Sequence, residues 1–251
     1  KTEIDLPVLN HSSGMKIYIG PNELATLKAQ GHGLENIIAF GASILGTINK
    51  YVIRPVFNFL SKFFDNKGIV ILWLTLLVKL LVFPLGYKML HSQAKMSALK
   101  PEMAHLKEKF KDDPQQIQME SMKIYREFGV NPLGGCLPMV LQMPIWFALY
   151  QFFPASIEFR QSGFLWANDL SSYDVFAKLP FTLPFYGSHV SMFTLIWVIS
   201  TLIFTYYSTK DQDFSMNPAM KWMQYFMPLF FLFFFNNSAA GLTAYMSFSN
   251  I

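Results

Sequence analysis

The chain has 251 residues, 52% hydrophobic and only 14% charged, with a mean hydropathy of +0.29, a balance that excludes an ordinary soluble domain and describes a membrane protein. A net charge of +4 is too modest to indicate nucleic-acid binding and reads as membrane topology. The single cysteine, Cys136, excludes an internal disulfide and a cysteine metal cluster.

Residues 1–33 mix short alternating runs such as Lys16-Ile-Tyr-Ile with turn signals such as Gly20-Pro21-Asn22, and read as strand and turn. They lack the apolar core of a signal sequence and are too few to bury a core, so they are expected to be the trailing end of a larger extramembrane domain. The chain opens without Met and ends inside an apolar run at Ile251, which reads as an excerpt.

Over 34–64 the pattern turns helical. Ile37, Ile44, Ile48, Val52, Val56, Leu60 and Phe63 recur at helical spacing, with Asn36, Ser43, Thr47, Lys50, Arg54, Asn58 and Ser61 on the opposite face. Lys50, Arg54 and Lys62 argue against a span, Pro55 is expected to kink or divide the helix, and an amphipathic helix lying in the membrane interface is predicted.

Residues 68–87 are long enough to cross a bilayer, whose hydrocarbon core of about 30 Å needs roughly 20 apolar residues. Lys79 lies near the centre of that stretch, where a lysine costs about 2.5–3.5 kcal/mol even on the low, translocon-derived scale. Snorkelling to the headgroups or a structural ion pair would explain it without function. Leu80 to Leu85 carry no charge, however, and no other predicted span contains Asp or Glu, so Lys79 is read as lining a water-filled, positively charged cavity.

Residues 88–128 are the one strongly charged region, with eight Lys and Arg (Lys88, Lys95, Lys100, Lys107, Lys109, Lys111, Lys123 and Arg126) that make it cytoplasmic by the positive-inside rule. Met96, Leu99, Met103, Leu106 and Phe110 form a narrow seam spaced three, four, three, four. Asp112-Asp113-Pro114 stops that helix and starts another, with Asp113 as cap, Pro114 at the first helical position and Gln116 completing a capping box. Ile117, Ile124 and Phe128 give the second arm an apolar stripe, so a helical hairpin follows. A solvated charged hairpin and a surface for soluble partners both fit it.

Further spans are predicted at about 133–153, 190–207, 222–235 and 239–251, with a far-side loop 154–188 that carries only Arg160 and Lys178 as basic residues. Pro138 and Pro144 inside the second span need neighbouring helices or water to satisfy the freed carbonyls. Gln142 and Trp146 share a face of it, and Gln142 either points at the Lys79 cavity or bonds another helix. The fourth span is dense in Phe and Met, suited either to holding varied apolar sequences or to facing lipid. No internal repeat of the transporter kind is visible, and no carboxylate pair, His pair or cysteine with a base suggests an intramembrane enzyme, so no metal or cofactor is expected.

The residues from about Met15 to Ile251 resemble the YidC membrane protein insertases, kin of the mitochondrial Oxa and chloroplast Alb proteins. The most specific part is Asn131-Pro-Leu-Gly-Gly-Cys-Leu-Pro-Met-Val-Leu-Gln-Met-Pro-Ile-Trp-Phe-Ala-Leu-Tyr150. Phe83-Pro84 after Lys79, Glu158-Phe-Arg-Gln161, Trp166 with Asp169-Leu-Ser171, and Gly241-Leu242 leading to Tyr245 and Ser249-Asn250 support it. The resemblance implies an all-α polytopic membrane protein of the bacterial inner membrane in a two-membrane cell. Its five-helix core, 65–251, would join a cytoplasmic hairpin, an interfacial helix and the end of a periplasmic β-domain. It implies an insertase or chaperone without chemical catalysis, holding substrates in a hydrophilic groove open to cytoplasm and lipid. Lys79 falls on the groove's basic position, where many members have Arg, and Thr75, Gln142 and Tyr245 fall on other groove positions. Met246 stands where a second tyrosine is common in the family. Met139, Met143 and Trp146 of the second span and Phe226, Phe230 and Phe233 of the fourth would form the surface along which a substrate span slides into lipid. Nascent membrane proteins and membrane lipids are the implied partners, with the Sec translocon, the signal recognition particle receptor and the ribosome as further candidates.

Overall fold

The computed structural model describes residues 18–38, 41, 43–110, 113–129, 137–210 and 218–251. The chain divides into two units, Lys1–Ile37 and Ile38–Ile251. In the first, a short helix α1, Leu24–Gln30, is followed by Gly31, His32 and Gly33, all at positive φ, and then by a 3-10 turn, Leu34–Ile37. Strand is expected over 1–33, but the described part contains this helix, because Leu24, Ala25, Leu27, Lys28, Ala29 and Gln30 are all strong helix formers. Residues 1–17 lie outside the described residues.

The second unit opens with a helical run in three pieces, α2 Ser43–Ile48, a π turn Asn49–Ile53, and α3 Arg54–Leu60. The wide turn precedes Pro55, which cannot donate to the carbonyl of Tyr51 and whose ring would clash with it in a regular helix. One extra residue turns the following helix by roughly 100°. Arg54, read from the sequence as part of the polar face, is consequently buried and pairs with Glu158 at 3.2 Å. Asn49 is buried as well and donates to the Ala148 carbonyl at 2.7 Å.

Helix α4, Lys67–Ala98, has 32 residues and a length of about 48 Å, well beyond a bilayer core. Asn66 caps it, its Oδ1 accepting from the Gly68 and Ile69 amides at 2.9 and 3.4 Å. It runs on past Pro84 into the polar region and breaks at Leu99, before α5, Lys100–Lys109. The seam read as one helix is therefore shared between two: Met96 lies on α4, Leu99 at the joint, Met103 and Leu106 on α5, and Phe110 at its C-cap. Pro101 is the cause, since it cannot bond to the Ser97 carbonyl and restricts the residue before it. Helix α6, Pro114–Glu127, packs back on α5 and is capped by Asp113, whose Oδ1 accepts from the Gln115 and Gln116 amides at 3.0 and 3.1 Å.

Four further helices follow: α7 Leu137–Ala155, α8 Met192–Thr209, α9 Pro218–Phe235 and α10 Ala240–Asn250. The architecture is mostly helical, with one correction to an all-α reading. The loop between α7 and α8 carries an antiparallel hairpin, β1 Ala177–Leu183 and β2 Gly187–Val190, with Ala177 opposite Val190 and Leu183 opposite Gly187.

The last helix is the hub of this unit. Helix α10 packs on α4, α7 and α8, and Ala240 to Ser247 are all buried. Small residues permit the close approach. A Cβ on Gly241 would stand 2.7 Å from the Phe153 ring and 3.1 Å from the Leu170 carbonyl, and the Gly241 amide donates to that carbonyl at 2.9 Å. Beside it Phe57, Phe152, Phe153 and Phe159 form a buried aromatic cluster with ring centroids 5.0–5.8 Å apart.

Among the described residues two helices are long and apolar enough to cross a membrane, α4 over Lys67–Pro84 with mean hydropathy 2.0 and α8 with 1.4. Only 33% and 22% of these stretches are buried, the reverse of a soluble core helix, and such open apolar surface requires a non-aqueous surrounding.

Candidate functional site

On α4 the buried positions Val70, Ile71, Leu74, Thr75 and Val78 make a stripe at helical spacing. Thr75 is satisfied inside it by donating its hydroxyl to the Ile71 carbonyl at 2.7 Å. Lys79 follows one turn later on the same side and is exposed, so the ammonium stands where the packing around α4 opens. Among the described residues no carboxylate pairs with it.

Helices α7 and α10 meet through two polar contacts. Gln142 of α7 is half-buried and its Nε2 donates to the Tyr245 phenol oxygen of α10 at 3.3 Å, while Tyr245 itself is buried. One turn further along α7 the Trp146 indole donates to the Met246 sulfur at 3.4 Å. Met246 thus has a role of its own as a soft acceptor. Of the four groove candidates, the structure joins Gln142 to Tyr245, keeps Thr75 within its own helix and leaves Lys79 apart at the margin.

The slide candidates divide in a similar way. Met143, Phe226, Phe230 and Phe233 are exposed at 44, 63, 54 and 46%, and Phe226 and Phe230 stack at 6.3 Å. Trp146 is instead half-buried, wedged against Phe147, Tyr150 and Phe235. With the Tyr150–Phe234 stack at 6.4 Å, the Trp146–Phe235 contact at 5.3 Å joins α7 and α9 toward their C-terminal ends. Phe233 also meets Tyr186 edge-on at 5.6 Å. The side chain of Met139 lies outside the described residues, as do Asn131 to Cys136.

The end of the bundle at these C-termini is clamped by residues that sequence reasoning missed. Asn236, just past the end of α9, is fully buried. Its Oδ1 accepts from the Ser191 amide at 2.9 Å, and its Nδ2 donates to the Tyr186 and His189 carbonyls at 2.8 and 2.9 Å. Asp174 accepts from the Ser191 hydroxyl, the Met192 amide and the Trp166 indole, and so places a carboxylate at the start of α8. Both partners lie far away in the chain, and no local pattern marks them. Nearby, Asp169 has its pKa lowered. Partial burial pushes it up, and hydrogen bonds from the Ser171 hydroxyl and from the Ser171, Gln161 and Ser172 amides outweigh that. Burial pushes the Tyr186 phenol above its ordinary value, which keeps it protonated. Among the described residues no group of three or more His, Cys, Asp and Glu side chains is arranged to hold a metal ion.

A family model described as 60Kd inner membrane protein matches residues 59–251. A protein of Amoebophilus asiaticus named Membrane protein insertase YidC is 46% identical over 236 residues, which cover 94% of this chain and 39% of that protein. Proteins of the same name from Cytophaga hutchinsonii and Bacteroides fragilis are 46 and 41% identical, over 100 and 98% of this chain and 41% of each relative. The chain spans about two fifths of the length of these relatives. A solved structure titled "Active YidC insertase crystal structure with the first transmembrane domain resolved" matches with a TM-score of 0.61 at 28% identity, over 90% of this chain and 48% of that one.

Proposed function

Because the chain belongs to the 60Kd inner membrane protein family, as its match over residues 59–251 shows, we propose that it is the membrane-embedded part of a membrane protein insertase. On this reading α4, α7, α8, α9 and α10 are five spans, the run Ser43–Leu60 lies in the interface, and the α5–α6 hairpin is cytoplasmic. A nascent membrane protein brings its translocated stretch to a polar notch beside Lys79, Thr75, Gln142 and Tyr245. Its apolar span then leaves between α7 and α9, along Met139, Met143, Trp146, Phe226, Phe230 and Phe233. Met96, Leu99, Met103, Leu106, Phe110, Asp113 and Pro114 hold the hairpin's shape. Nascent chains and lipid are the partners, joined by the Sec translocon, the signal recognition particle receptor and the ribosome where substrates need them.

The observation that carries the reading is the exposed Lys79 on an apolar helix long enough to cross a membrane, at the edge of a buried stripe. A carboxylate in mid-bilayer costs about 2.5–3.5 kcal/mol. A cation about 4 Å away returns about 4 kcal/mol at an effective dielectric of about 20. One lysine therefore roughly offsets the cost of one acidic residue in transit, and no bond needs to be made or broken. Burial of the substrate's apolar span and the membrane potential, about 2.3 kcal/mol per charge per 100 mV, drive the rest.

The test is insertion of a single-span protein with an acidic translocated tail into proteoliposomes holding the wild type, Lys79→Ala or Lys79→Arg. Loss with Ala, recovery with Arg and a smaller effect on a neutral tail support the reading. Equal insertion by all three removes Lys79 from the mechanism.

A further inference from the structure

The β1–β2 hairpin and the two residues before it carry an apolar surface that no described residue covers. Val175, Phe176, Phe181, Leu183 and Phe185 are exposed at 40, 57, 56, 39 and 91%. β1 is rich in apolar residues, Ala177, Leu179, Phe181 and Leu183, its pairing with β2 shifts register between Lys178 and Leu183, and all of these side chains but Leu179 stand exposed. The surface is held rigidly. The turn closes with the Tyr186 amide on the Leu183 carbonyl at 3.3 Å. The Phe185 and Tyr186 carbonyls accept from Asn237 at 3.2 and 3.0 Å, and Tyr186 packs on Phe233 of α9. Phe185 at the tip has φ 66°, a region that strains an L side chain, and points its ring outward all the same.

We propose that this hairpin docks into the headgroup and acyl boundary of the outer leaflet, with Phe181, Leu183 and Phe185 as the inserted side chains. The position of the hairpin names the occupant. β2 ends at Val190, Ser191 caps α8, and the apolar span begins at Met192, so a single residue separates the hairpin from the span. The hairpin is also fastened through Asn236 to the end of α9. Between Ala177 and Val190 there is no acidic residue and one exposed cation, Lys178, which suits phosphate headgroups. Aromatic side chains at this level match the general preference of Phe, Tyr and Trp surfaces for the membrane boundary. The docked hairpin would then brace the ends of α8 and α9 against the bilayer. The proposal rests on α8 crossing the membrane, and not on insertase activity.

The test uses the protein with Cys136 replaced, reconstituted in liposomes of zwitterionic and anionic phospholipid, with single cysteines at Phe181, Phe185, Lys178 or Ile199 labelled with an environment-sensitive fluorophore. Labels at Phe181→Cys and Phe185→Cys are expected to emit blue-shifted light. They should lose intensity to lipids spin-labelled near the headgroup, at a depth of roughly 5–10 Å, and resist aqueous iodide, whereas Lys178→Cys is quenched by iodide. Ile199→Cys, exposed on α8, should be quenched by lipids spin-labelled deep in the acyl chain. Iodide quenching at 181 and 185 equal to that at 178 overturns the proposal, and so does shielding from both iodide and lipid quenchers, which would mean a protein partner. Loss of the deep quenching at Ile199 overturns the span itself and the proposal with it.

Discussion

Asn236→Ala is expected to be among the most destabilising single changes in the protein. The side chain is fully buried and makes three hydrogen bonds to backbone groups, from the Ser191 amide and to the Tyr186 and His189 carbonyls. Tyr186 keeps the Asn237 amide at 3.0 Å, which leaves the Ser191 amide and the His189 carbonyl without this partner. A buried group so orphaned costs about 1–3 kcal/mol, and the two together about 3 kcal/mol, since neither site is open to water. A chain of this size shifts its midpoint by about 2–4 °C per kcal/mol, so thermal unfolding in detergent should fall by roughly 6–12 °C. Asn236→Asp should be at least as damaging, because a second oxygen would face two carbonyls. A change within about 0.5 kcal/mol for Ala, the range of an ordinary surface substitution, would refute the clamp as a structural element.

Gly241→Ala places a Cβ 2.7 Å from the Phe153 ring at the hub of the bundle, and overpacking of this kind costs about 1–3 kcal/mol, readable in the same unfolding assay. Asp113→Ala removes the cap of α6 at a cost of about 1 kcal/mol, and amide exchange should quicken at Gln115 and Gln116 while α4 is unaffected. Asp169, whose pKa is lowered from 3.8, stabilises the fold fully above that value and loses its contribution as pH falls through the lower folded value. Asp169→Asn should flatten the acid limb of an unfolding-temperature profile there and leave neutral pH stability to the remaining hydrogen bonds. Trp146→Phe removes the donor to the Met246 sulfur and keeps most of the ring contacts, so a loss of less than about 1.5 kcal/mol is expected by chemical unfolding.

Some elements were legible because their causes are local. The span through Lys79, the cap at Asp113 and the helical hairpin follow from apolar length, a capping residue before proline, and spacing, all of which act within a few residues. The helix Leu24–Gln30 follows from equally local propensity, but the alternating run Lys16-Ile-Tyr-Ile and the turn signal Gly20-Pro21-Asn22 pointed to strand and turn over this region. The break at Leu99 could have been found from Pro101, but the continuing apolar seam hid it.

What the sequence by itself determined is the class of the molecule: its apolar composition and the long apolar stretch through Lys79 mark a membrane protein. Only the tertiary structure decided which polar residues meet. The π turn before Pro55 turned Arg54 inward to Glu158, Gln142 found Tyr245 across 103 positions, and Asn236 joined the end of α9 to the stretch Tyr186–Ser191, which no periodicity links to it. Composition and spacing report what a residue needs from its surroundings. Which distant residue supplies that need depends on how the helices pack around α10, because a buried polar group is satisfied by whatever the close-packed neighbour presents.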